Sequence, residues 1–156
     1  MRRIDQLLDT YAISHQNSIN KSIHWICIPL ILFSLIGLIR LLPYPAVFPP
    51  YFNWASVILL LALAYYFKLS RSLALSFLVI GCLALWGNEK LQTYCQEIQI
   101  STAYVLIGIF VTAWIGQFIG HAIEGKRPSF FQDLQFLLIG PAWLVHFIFR
   151  KWRIPY

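Results

Sequence analysis

Four histidines, His15, His24, His121 and His146, are the residues of this 156-residue chain best suited to chemistry. Neutral imidazole is a ready ligand for Fe, Zn, Cu or Mn. Polar residues surround the histidines in two regions. The string WIGQFIGHAIEGKRP carries Trp114, Gln117, His121 and Glu124 at i, i+3, i+7 and i+10, a spacing that aligns them on one face of a helix. The string YAISHQNSINKSIHW carries Tyr11, His15, Asn17, Asn20 and His24, of which Asn17, Asn20 and His24 share a helical face. His15 does not share it, because the nine residues to His24 are about two and a half turns and point the two rings apart. The chain must bend between them if both are to serve one site. Asn17 and Ser18 are residues that cap a new helix at such a bend.

The elements that position these groups follow from composition. The chain is 59% hydrophobic and 12% charged, with a mean hydropathy of +0.67; soluble domains carry about 25% charged residues. It cannot cover its own surface in water, and one all-α integral membrane domain over residues 1–156 is expected, a compact bundle of four to five transmembrane helices. Disordered, collagenous and nucleic-acid-binding classes are excluded. The net charge of +6 sits at the ends of apolar runs, where it sets membrane topology and does not form a nucleic-acid face. Three cysteines do not make a disulfide framework; Cys27 and Cys82 lie in apolar runs as small packing residues, and Cys95 lies in a polar stretch. The N-terminus has no apolar core followed by a small-residue cleavage site, so the first apolar segment is expected to remain as an anchor.

Five apolar segments occupy residues 23–42, 51–69, 72–87, 102–122 and 134–149, against the roughly 20 residues needed to cross a bilayer. The short link at 68–71 makes the second and third antiparallel neighbours, the proline-rich 43–53 is a rigid connection, and 88–101 reads as polar loop or interfacial helix. The fifth segment is short and contains Gly140-Pro141, which suits a kinked or re-entrant helix. If all five segments cross, the Lys and Arg residues divide seven to five; if the fifth returns, they divide ten to two. The positive-inside rule favours the second arrangement, with both termini cytoplasmic. Trp25, Trp54 and Trp86 fall at segment ends as an aromatic belt, whereas Trp114 falls inside the fourth segment and is expected in the bundle or at a cavity. Gly108, Thr112, Gly116 and Gly120 repeat every four residues, a stripe that lets a second helix approach.

That topology collects all four imidazoles at one membrane face with Glu124 close by. Intramembrane ionisable groups are costly and face a cavity or partner; the bland alternative leaves Glu124 solvated beside Lys126 and Arg127. Di-iron membrane hydroxylases carry more histidines than this chain has, so a mononuclear site is the natural reading. Haem held between His24 and His121 is the rival, and a lipid-binding or electron-transfer module without catalysis is a further alternative.

The two regions, extended by Pro29 and Pro128, resemble the paired signatures of the membrane 2-hydroxy fatty acid dioxygenase family, over the whole chain. The resemblance implies Fe(II)-dependent α-oxidation, in which molecular oxygen converts a 2-hydroxy fatty acid to a fatty acid one carbon shorter. It implies non-haem iron on His15, His24 and His121, with His146 or Glu124 completing or supporting the shell, although His146 lies in neither signature. Tyr11, Asn17, Asn20 and Gln117 then stand around the imidazoles, fixing their tautomers. Lys21, Lys126 or Arg127 attract the carboxylate, with topology anchoring as their plainer role, and the acyl tail runs toward Trp114 and Phe118. Partners are the hydroxy acid and membrane lipids, with oligomers allowed. The host membrane is the bacterial inner membrane or the endoplasmic reticulum.

Overall fold

The computed structural model describes residues 2–45, 47, 49, 52–125 and 130–156, with backbone alone over 130–135. The described residues form six helices and no strand: α1 (Arg3–Ala12), α2 (Ser18–Arg40), α3 (Trp54–Leu69), α4 (Arg71–Glu97), α5 (Thr102–Glu124) and α6 (Phe130–Trp152). Three of them, α2, α4 and α5, are long and apolar enough to cross a membrane, and α3 is a shorter apolar helix.

Local chemistry sets the boundaries. Asn17 caps α2, its Oδ1 accepting from the Ile19 and Asn20 amides at 2.8 and 3.3 Å. Asn53 caps α3 in the same way. Ser70 alone separates α3 from α4 and caps the latter through Oγ, so those helices run antiparallel as expected. Gly125 ends α5 with φ of +72°, a left-handed conformation suited to glycine.

Two elements extend past their sequence limits. Helix α4 continues beyond residue 87 to Glu97 because its polar residues are used: Asn88 is buried and its Nδ2 donates to the Phe33 and Ala84 carbonyls at 3.0 and 2.9 Å, tying α4 to α2. Helix α6 is continuous through Pro141 and far longer than the segment 134–149. The amphipathic α1, which hydropathy alone passes over, buries Ile4, Leu8 and Tyr11 at i, i+4 and i+7. These residues pack on Ile139, Trp143 and Phe149 of α6. Of the cysteines, Cys27 and Cys95 are buried, whereas Cys82 is exposed.

The closest helix pair is α2 with α5. A Cβ at Gly116 would come within 2.6 Å of Cys27 Sγ, and one at Gly120 would strike the Asn20 amide oxygen. Between lipid-embedded helices such close packing of small residues replaces the hydrophobic effect as the source of association. Gly108 meets nothing within 4 Å, so the stripe works only over its C-terminal half. The chain ends meet on one side of the bundle, where the Arg2 guanidinium donates to the Tyr156 carbonyl and Ser72 Oγ to the Pro155 carbonyl.

Candidate metal centre

The bend between α1 and α2 brings His15 and His24 together. His15 Nδ1–H donates to the Tyr11 carbonyl at 2.6 Å, and His24 Nδ1–H donates to the Asn20 carbonyl at 2.9 Å. A carbonyl only accepts, so each Nδ1 carries the proton and each Nε2 presents a lone pair. The two Nε2 atoms face one another at 3.0 Å. Two lone pairs at that distance repel unless a cation lies between them. Two nitrogens bound at about 2.1 Å and at right angles around one ion stand about 3.0 Å apart, so the pair fits a shared metal ion.

His121 completes the group from α5. Its ring lies 5.2 Å from that of His15 and 5.0 Å from that of His24, steeply inclined to both. One donor nitrogen from each of the three buried imidazoles falls within a 4.8 Å span. His121 Nδ1 is itself buried with no hydrogen-bond partner among the described residues. Burial pushes the His15 pKa down to about 4, opposed by its backbone hydrogen bond to Tyr11, so at neutral pH that ring is in the uncharged form that binds metals.

The surrounding residues hold these rings in place. The Tyr11 ring stacks on His15 at 4.0 Å with 10° between planes, and Trp143 of α6 lies 5.3 Å from each of those two rings. Trp143 went unnoticed in the sequence, where it sits inside an apolar run with no spacing to mark it. A cleft of about 40 Å³ opens on the histidines, room for a few waters. It is walled by His24, Ile28, Ile31 and Leu32 of α2, by His121, Gln117 and Trp114 of α5, by Tyr11, and by Phe136, Leu137, Gly140 and Pro141 of α6. Trp114 thus lines a cavity, and its Nε1 is buried without a partner among the described residues.

Several expected residues lie elsewhere. His146 does not join the cluster; its Nδ1 contacts the Tyr156 hydroxyl near the chain ends, because the register of α6 turns Trp143 and not His146 toward His15. Glu124 is not among the grouped donors either. Its Oε1 accepts from the Gln16 amide at 2.7 Å, and its Oε2 from the Asn17 amide at 2.9 Å and Asn20 Nδ2 at 3.0 Å. The carboxylate sits at the N-terminus of α2, where the helix dipole favours it, and it fastens α5 to the bend that aims His15. The His15 and His24 tautomers are fixed by backbone carbonyls and not by the side chains of Asn17, Asn20 or Gln117: Asn17 caps α2, Asn20 is held by Glu124, and Gln117 faces the cleft. Lys21 is half-buried in the first turn of α2 and does not line the cleft. Phe118 is exposed on the outer face of α5, its ring 5.7 Å from that of Trp114. Lys126, Arg127 and Pro128 lie outside the described residues. Haem does not fit, since rings 5.0 Å apart leave no space for a porphyrin between His24 and His121.

No solved structure matches the chain. A curated relative, the 2-hydroxy-palmitic acid dioxygenase MPO1 of Saccharomyces cerevisiae, is 30% identical over 155 residues, covering 95% of this chain and 81% of its own. The family described as 2-hydroxy-palmitic acid dioxygenase Mpo1-like matches residues 1–152, all four histidines included, and this chain belongs to it.

Proposed function

We propose that the protein is a multi-pass membrane oxidoreductase that uses dioxygen to shorten 2-hydroxy fatty acids by one carbon, with a mononuclear non-haem ferrous ion held by His15, His24 and His121. The observation that carries this reading is the pair of unprotonated Nε2 atoms facing at 3.0 Å beneath an apolar cleft. In balance, RCH(OH)COOH and one dioxygen give RCOOH, carbon dioxide and water. The ferrous ion, when bound, supplies the Lewis acidity and one-electron chemistry that dioxygen requires.

The chain's own residues bind and orient. The Tyr11 and Asn20 carbonyls hold His15 and His24 with Nε2 inward, and Tyr11 and Trp143 keep the His15 ring from rotating. Ile28, Ile31, Leu32 and Leu137 line the cleft and give an acyl tail an apolar bed leading from the histidines toward the middle of the bundle. The cleft has room for a few waters, so the chain would part these side chains as it enters along the roughly 12 Å that α2 rises from His24 to Leu32, the rest passing into lipid. A tail in this cleft excludes bulk water from the reacting carbons and holds C1 and C2 beside the histidines.

The Arg2 guanidinium donates to the Tyr156 carbonyl, so the two chain ends lie together. This supports an even number of crossings, made by α2 to α5, with α1 and α6 along the face that holds the histidines and the termini. The test is incubation of purified, iron-loaded protein in lipid nanodiscs with 2-hydroxyhexadecanoate. Pentadecanoate should form with one dioxygen consumed per acid, and a His121→Ala variant should form none. Binding of the acid without any shortening would leave a lipid-binding module instead.

A further inference from the structure

Gln117 stands out among the polar groups of the cleft. It is 6% exposed, lines the cleft beside His121 and makes no hydrogen bond to any described residue. An amide that lines an apolar cleft and has no protein partner is placed to complete its hydrogen bonds with a ligand. Its place on α5 narrows the choice. Gln117 is one turn, about 6 Å, from His121 along the same face, whereas Trp114 is about 10 Å away.

Among the described residues, the cleft lining contains no lysine or arginine. A carboxylate drawn to the histidine centre through one oxygen therefore leaves its second oxygen buried, charged and in need of a donor. His15 and His24 cannot meet that need, since their Nδ1 protons are committed to carbonyls.

We propose that the Gln117 side-chain Nε2–H₂ donates to the carboxylate of the substrate, making Gln117 the residue that selects an acid over an uncharged lipid of the same length. The assignment rests on the activity proposed above. The unpartnered Trp114 Nε1–H lies too far along the cleft for the same task.

Binding of three probes to iron-loaded protein in nanodiscs, measured without oxygen, tests this: 2-hydroxyhexadecanoate, hexadecanoate and 1,2-hexadecanediol. Gln117→Leu should keep its iron and weaken both acids by roughly ten- to a hundredfold, the worth of a hydrogen bond to a charged group, with the diol unchanged. Gln117→Glu, which preserves the volume and adds a repelling charge, should lose the acids at least as strongly and again keep the diol. Equal binding of the acids by wild type and both variants overturns the assignment, as does an equal loss of acids and diol, which marks Gln117 as a shape-filling residue. Wild-type protein that binds neither acid overturns the proposed activity itself, an outcome separate from a failure confined to the variants.

Discussion

At the scale of residues, the chemistry rests on protons held in fixed places. His15 and His24 each give their Nδ1 proton to a carbonyl four residues earlier, which leaves Nε2 free without any acidic partner. The metal-free protein should therefore lose stability on mild acidification. Burial holds the His15 pKa near 4 when folded, while the unfolded chain takes up its proton near 6.5. The unfolded state binds the extra proton between those values, so stability falls as pH drops from about 6.5 and this contribution levels off near 4. Urea unfolding of metal-free protein across that window checks it; flat stability contradicts the burial of His15. His146→Ala should retain metal and turnover, because its partner is the Tyr156 hydroxyl. The two polar regions could be read directly because helical spacing converts residue type into a face. The carbonyl anchors could not, since a backbone oxygen is the same at every residue. The place of His146 depended on the rotation of α6, which its periodicity leaves open.

At the scale of elements, α2 and α5 act as one unit. Gly116 and Gly120 let them touch, and Glu124 closes the end of the pair by accepting from three donors at the start of α2. Gly120→Ala forces a methyl group into Asn20 and should cost on the order of 1–3 kcal/mol of stability, as overpacking does. Thermal unfolding of the detergent-solubilised protein would show it, while Gly108→Ala, which meets nothing, should unfold as wild type. Glu124→Gln should bind metal more weakly without losing the site, since the carboxylate fastens the bend and ligates nothing; an unchanged metal affinity would contradict this role. The glycine stripe was visible from its period of four, and the bend from Asn17 as a cap. The length of α4 was not, because the partners of Asn88 are carbonyls of α2 and of its own helix. Nor was the reason for Gly140. It reads as a helix breaker beside Pro141, yet α6 is continuous, and a Cβ there would press on the Tyr11 hydroxyl at 3.1 Å and Ile28 at 3.2 Å.

At the scale of the whole molecule, an apolar bundle carries its chemistry at the end where the chain both begins and finishes. The Lys and Arg division of ten to two and the meeting of Arg2 with Tyr156 point the same way. Reporter tags fused to the two termini should therefore be accessible from the same side of the membrane, and opposite exposure would require α6 to cross. The central claim is that His15, His24 and His121 together hold one ferrous ion. Iron per chain in purified protein, reconstituted without oxygen, measures it most directly for wild type and the alanine variants at His15, His24, His121 and His146. One iron in wild type and in His146→Ala, with little or none in the other three, is the predicted result. A full iron complement in His24→Ala or His121→Ala, or iron-free wild type that still shortens the hydroxy acid, would contradict it.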